Sequence, residues 1–329
     1  MVFNEFLLGK RSRLSWVDET SFGTGGNMAN DGEVIGLNAV IEPDFNQNWQ
    51  EILSAGAGSR SVEGFELGSL DLPFTLNFTP VNWKFLKYCG YDFDNVVNPA
   101  LSTNYLHTGT LMNSLQSFKL EWAIFHTTPV VFTITGVGVL SATINFSKGA
   151  GDADSFITVS LSCYAKSVSI GSTPTTLASG VVTRSPFHFR HVKLTKSGSE
   201  VAEVNNGEIS IDQGIDPSDS RYCNATLDRE VGELIPKTHR VTGRYNLNVK
   251  DSTEFDEWDN GVALTDTKLE FIKVSGTGAD ADNVVMGLDG FVIGSAIPSN
   301  ALDGVMNSDL VWKCKGFSPL TVRDNLNDY

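Results

Sequence analysis

LPFTLNFTPVNWKFLKYCG, residues 72–90, reads as a strand that runs into a short helix. Leu72, Phe74, Leu76 and Phe78 recur at every second position, the period of a strand with one buried face, and Asn77 falls on the other face. Past Pro80 the period lengthens, and Trp83, Phe85 and Leu86 make the apolar stripe of a helix-like segment that Gly90 stops. The unit recurs as GRYNLNVKDSTEFDEWDNG, residues 243–261. There Gly243, Tyr245, Leu247 and Val249 share a face and Asn248 takes the place of Asn77. Thr253 offers an N-cap, Phe255 and Trp258 form the stripe, and Gly261 is the stop.

Working outward from these two copies, further strand signals recur in the same order. Upstream, Ile35, Leu37, Ala39 and Ile41 end in Glu42-Pro43-Asp44; Ile209, Ile211, Gln213 and Ile215 end in Asp216-Pro217-Ser218. Downstream, FKLEW answers TKLEF, pairing Leu120 with Leu269 and Trp122 with Phe271, and Gly138 stands against Gly290. The last strand sets Leu161, Cys163 and Ala165 beside Trp312, Cys314 and Gly316. The conserved order predicts an all-β chain with short flanking helices, in two tandem units over residues 1–175 and 176–329. Phe74, Leu76, Trp83, Leu161 and Cys163 are expected core positions of the first, and Tyr245, Leu247, Trp258, Trp312 and Cys314 of the second. The junction falls in a Gly, Ser, Thr and Pro stretch around residues 170–180. Outside the repeat lie an N-terminal arm, an insertion over about 92–115, a hairpin over 187–204 and a polar C-terminal tail.

Composition narrows the function classes. With 329 residues, 41% hydrophobic and 19% charged, the chain can bury the cores of two units and is neither disordered nor a long-helix protein. A net charge of −15 argues against gripping a nucleic-acid backbone, and leaves room for a role in which DNA passes without sticking. The four cysteines, Cys89, Cys163, Cys223 and Cys314, are far apart and make no CxxC or Cys/His cluster, so buried reduced thiols are expected. The N-terminus lacks a signal-peptide layout, and the most apolar run, residues 130–140, is too short to span a bilayer.

Candidate chemistry is sparse. His188 and His191 could hold a metal, but in a strand at that spacing they point to opposite faces. The acidic runs at 151–154 and 278–283 lack the ligand ladder of a calcium loop, and Phe22–Gly26 (FGTGG) lacks the Lys and Ser/Thr of a phosphate loop. No GxSxG or HExxH motif is present, and the sequence places no pair of carboxylates across a cleft for glycan cleavage. The expectation is a protein that is not an enzyme and needs no metal or cofactor. Sequons at Asn77, Asn145 and Asn224 carry no weight without a secretory signal.

The N-terminal WVDETSFGT (16–24), the unit PFTLNFTPVNWKFLKYCG, the strand DSFITVSLSCYAKS (154–167) and the SPFHF (185–189) opening the second half resemble, together, the major tail tube proteins of long-tailed bacterial and archaeal viruses. The resemblance implies β-sandwich or partial-barrel domains that join sheets into a ring around a channel. Rings of six domains are common in that family, so a duplicated chain would close a pseudo-hexameric ring as a homotrimer. It also implies a place in the virion tail, assembly in the host cytoplasm, a tape measure protein and tail-end proteins as partners, and DNA passing the lumen unbound, with no membrane. Segments outside the repeat are free to reach neighbouring copies, which makes Trp16, Phe22, Thr24, Asn98, Leu101, Tyr105, Leu111, Phe187, Phe189, Leu320 and Tyr329 the candidate inter-ring or inter-subunit contacts. The rival reading is a two-domain β-sandwich receptor-binding, adhesin or capsid decoration protein.

Overall fold

In the computed structural model the described residues are 12–52, 64–97, 104–148, 155–178, 184–201, 204–220, 230–248, 253–261, 263–264, 266–274, 281–294, 306–326 and 329. In chain order the strands are β1 (Ser12–Asp18), β2 (Glu33–Val34), β3 (Leu37–Pro43), β4 (Asn46–Ile52), β5 (Gly64–Asp71), β6 (Pro73–Thr79), β7 (Tyr91–Val97), β8 (Tyr105–Leu111), β9 (Phe118–Ile124) and β10 (Val130–Ser147). They continue with β11 (Thr158–Tyr164), β12 (Ser167–Gly171), β13 (Val192–Lys196), β14 (Ser199–Val201), β15 (Val204–Asp212), β16 (Arg240–Asn248), β17 (Lys268–Val274), β18 (Asp282–Val292) and β19 (Asn307–Asp324). Short helices α1 (Met28–Asp31), α2 (Phe85–Tyr88) and α3 (Thr253–Asp259) flank them. Every pairing given for these strands is antiparallel, as the alternating apolar patterns require of sheets with one buried face.

Two long strands organise the molecule. The first part of β10 lies between β9 and β12, with Phe132 opposite Trp122 and Ile170. Past Gly136, at φ +63°, and a bulge between Val139 and Ser141, the strand enters a second sheet between β11 and β15. A bulge bends a strand and raises its twist, which is how one strand can serve two sheets. β19 divides likewise: Trp312 and Cys314 lie between β16 and β18, whereas Leu320 and Val322 lie between β18 and β8. The larger sheet therefore runs β3-β6-β11-β10-β15-β16-β19-β18-β17-β13-β14 without interruption.

One hydrophobic cluster extends from Leu14 to Tyr329, so the two halves of the chain share a core where the sequence suggested one for each. Trp83 stands at its centre, with ring centroids 5.4 Å from Phe187 and 4.6 Å from Phe271, and Phe271 in turn meets Phe146. Phe74, Leu76, Leu161, Cys163, Tyr245, Leu247, Trp312 and Cys314 are buried in this cluster, and Trp258 packs against it half-buried. Burial raises the thiols of Cys89, Cys163 and Cys314 above their ordinary range, Cys314 to about 12, which keeps them protonated and unreactive. Cys223 lies outside the described residues.

Four sequence expectations change. The insertion is no free loop: β7 and β8 form a hairpin, and β8 adds to the end of β19 with Gly109 opposite Leu320. The last strand runs on into the polar tail: β19 continues to Asp324, eighteen residues in all, with alternate residues buried over most of its length. An unforeseen hairpin, β4-β5, forms a separate two-stranded sheet. Finally, the ladders revise the matching of the halves. Leu161 lies opposite Leu76, and Trp312 opposite Gly243. If Leu161 and Trp312 are counterparts, Gly243 answers Leu76 and not Leu72, and Tyr245 answers Phe78 and not Phe74. One strand further, Ile41 faces Leu76 and Ile209 faces Gly243, so Ile209 answers Ile41 and not Ile35. A slip by an even number of residues leaves every apolar side chain on its own face, so periodicity alone could not detect it.

Candidate assembly interface

The joint between the halves is a strand ladder. Residues 141–147 of β10 pair with residues 206–212 of β15, from Ser141 opposite Asp212 to Ser147 opposite Asn206. Its buried face packs Ala142, Ile144 and Phe146 beside Ile211, Ile209 and Gly207; a Cβ on Gly207 would sit 2.3 Å from the Phe146 ring, so the glycine makes room for that ring. The opposite face presents Ser141, Thr143 and Asn145 beside Asp212, Ser210 and Glu208.

Three strands away on either side of this joint, β3 and part of β18 have an edge left open among the described residues. β3 pairs with β6 alone among the described residues, and its outer edge carries Val40, 50% exposed. β18 past Gly290 pairs with β19; on its outer edge the Gly290 carbonyl accepts from Leu264 N–H at 2.7 Å and Phe291 bridges Ala263, and beyond Phe291 nothing among the described residues pairs with that edge. Phe291 and Ile293 stand there 49% and 54% exposed. Large exposed apolar side chains on open edges are what monomeric proteins avoid, because such edges invite another strand. The β4-β5 hairpin shows the same character, with Trp49 directly opposite Leu67 and both about half exposed.

The uncovered face of the large sheet is built mainly from short hydroxyl and amide side chains: Thr75, Asn77, Ser160, Ser162, Thr143, Asn145, Ser210, Thr242 and Asn246. Charges of both signs are interspersed. Glu42, Glu208, Asp212, Asp289 and Asp309 stand against Arg240, Arg244, Lys313 and Lys315, and Glu208 meets Arg244 at 3.5 Å.

Many candidate contact residues are instead committed to the chain's own interior. Trp16, Phe187, Leu320 and Tyr329 are buried in the core cluster. Phe189 packs against it, Phe22 lines a smaller cluster with Tyr164 and Leu234, and Tyr105 stacks on His107. Thr24 and Leu111 are exposed, while Asn98 and Leu101 lie outside the described residues. Periodicity could not separate a segment outside the repeat from one outside the core. The exposed side chains of β3 and β18 lay within the matched strands and were passed over for that reason.

Buried polar groups pin the two halves together. The Asp324 carboxylate accepts from Arg184 Nη1 at 3.2 Å and from the Tyr329 hydroxyl at 2.9 Å, and stands 3.3 Å from His107 Nε2. Burial opposes its ionisation, but the His107 hydrogen bond and the Arg184 charge outweigh burial and hold the carboxyl below its ordinary range. Lys273 Nζ donates to the Ser185 carbonyl at 2.8 Å and to Asp282 at 2.9 Å, and lies 3.8 Å from the centre of the Phe187 ring. Burial pulls Lys273 down and pushes Asp282 up. The candidate metal pair does not converge on a ligand: His191 Nδ1 accepts from the His188 backbone N–H at 3.0 Å, within a 3-10 turn. Among the described residues no cluster of three metal-ligating side chains occurs, and no helix is long and apolar enough to cross a membrane.

An all-antiparallel chain whose sheet continues through both halves, with exposed apolar side chains on the edge strand β3 and on the unpaired part of β18, has the build of an assembling structural protein. Residues 9–314 match the model of the phage tail tube protein family, and the chain belongs to that family. It is a structural component of a virion tail that self-assembles into a tube. No curated protein matches it individually.

Proposed function

We propose that three copies of this chain close a ring of six related units, that the rings stack into the tail tube, and that DNA passes through the lumen during genome ejection. The observation that carries this reading is the β10-β15 joint, which makes one chain do what two joined single-unit subunits would do. In each half the strands follow one order, β3-β6-β11-β10 and β15-β16-β19-β18, which supports a duplication with units near 1–175 and 176–329. The uncovered polar face lines the lumen. DNA slides over it because hydroxyl and amide groups carry no charge for phosphate and the cations are few and interspersed with carboxylates. The role is mechanical and not catalytic. Tape measure and tail-end proteins occupy the lumen and the tube ends, and assembly takes place in the host cytoplasm. Mass photometry and negative-stain microscopy of the purified protein test the stoichiometry. Rings of three chains with sixfold modulation are expected; rings of six chains, or a chain that stays monomeric at all concentrations, would refute it.

A further inference from the structure

We propose, resting on the tube reading, that the outer edge of β18 pairs antiparallel with the outer edge of β3 in a second copy of this chain, in a register the molecule itself supplies. Ile293 then stands opposite Glu42 of the second copy, flanked by Val292 opposite Pro43 and Gly294 opposite Ile41.

The register follows from the ladders. In the first half one row of residues crosses Ile41, Leu76, Leu161 and Ala142; in the second the row in the same strand order crosses Ile209, Gly243, Trp312 and Val292. Ala142 and Val292 are thus counterparts, as are Ile41 and Ile209. Inside the chain Ala142 faces Ile211, two residues beyond Ile209. Val292 must then face the residue two beyond Ile41, which is Pro43. The two edges left open are the counterparts of the two edges joined inside: β3 stands where β15 does, and β18 where β10 does.

Backbone polarity agrees. In the internal joint Gln213 N–H donates to the Leu140 carbonyl, so the alternate amides of Ile211 and Ile209 also point toward β10. On β3, Asp44 N–H donates inward to the Pro73 carbonyl, which turns Ile41 outward with a free amide and places Pro43, which has none, at the remaining outward position. The Gly294 amide is likewise spent, donating to the Val311 carbonyl at 3.1 Å, so the joint between copies makes two hydrogen bonds fewer than the joint within the chain. The proline on β3 also stops the edge from extending into indiscriminate pairing. Because two different edges meet, the contact is head-to-tail and propagates until it closes a ring.

Cysteine cross-linking tests the register in a Cys223→Ser background, the other three thiols being buried. Glu42 and Ile293 occupy a pair equivalent to Thr143 and Ser210, which lies between bonded pairs, where Cα atoms stand about 4.5 Å apart, inside the reach of a disulfide. Oxidised Glu42→Cys/Ile293→Cys is expected to yield covalent dimers and closed trimers on non-reducing gels, while each single variant yields neither. Val40→Cys/Ile293→Cys and Asp44→Cys/Ile293→Cys, displaced by two residues, are expected to link far less. Microscopy of the same samples separates the failures. Rings or tubes that form without the Glu42–Ile293 link, or with a displaced link dominant, overturn the joint and leave the tube reading standing. A wild-type chain that never assembles overturns both.

Discussion

Exchanging the side chains of one cross-strand pair tests whether the two halves descend from one unit. In the first half Leu76 faces Leu161; in the second Gly243 faces Trp312, and a Cβ on Gly243 would lie 2.2 Å from the indole. The glycine has ceded its volume to the tryptophan, so Gly243→Leu alone overpacks the site and is expected to cost about 3 kcal/mol, the upper end for such insertions. Trp312 is 1% exposed and its Nε1 has no hydrogen-bond partner among the described residues, so Trp312→Leu loses packing but no polar contact there. It should cost about 2–3 kcal/mol, below the 3–5 typical of truncating a large aromatic to alanine. The double variant rebuilds the Leu-Leu pair of the first half. It is expected to cost only about 2–3 kcal/mol, a coupling of about 3 kcal/mol between neighbours. Urea unfolding of the unassembled chain, followed by far-ultraviolet circular dichroism, reads the three midpoints at constant m-value. A double variant as unstable as the sum of the singles, within about 0.5 kcal/mol, would refute the equivalence of the two pairs and the register built on it.

Lys273→Met should destabilise the chain by about 3 kcal/mol, because it strands the partly buried Asp282 and frees the backbone at Ser185; Lys273→Met/Asp282→Asn is expected to recover more than half, read by the same unfolding assay. Burial lowers the His239 pKa, so the folded state resists a proton that the unfolded chain accepts below about pH 6.5. Stability should therefore be full above that pH and fall as the pH drops toward 5, with a slope of at most about 1.4 kcal/mol per pH unit that His239→Gln removes. The Asp324 carboxyl, held below its ordinary range, adds stability present above about pH 4 and lost as the pH falls further; Asp324→Asn should flatten that acid limb of the stability curve. Ser160→Lys on the uncovered face should leave tubes intact but make them retain DNA with a salt dependence of roughly one counterion per added cation, measured by co-sedimentation; unchanged binding would count against that face as the lumen.

The all-β class, the strand at residues 73–79, the buried faces of Phe74, Leu76, Leu161 and Cys163 and the order of strands in both halves follow from alternation, since a sheet with one wet face forces period two on its sequence. The resemblance that the family match supports rests instead on particular stretches, WVDETSFGT and PFTLNFTPVNWKFLKYCG among them. Periodicity fixes register only modulo two and is blind to even shifts, which is why the matching of Gly243 with Leu72 and of Ile209 with Ile35 slipped along the strands. Nor could it see that Trp83 of the first half packs on Phe271 of the second, that β8 adds to β19, or that Trp16 and Tyr329 lie inside the core. Those contacts join residues far apart in the chain, and their choice rests on shape and on which backbone edges remain unpaired after the sheet closes. The open edges of β3 and β18 are properties of that pairing, and no local stretch of sequence encodes them.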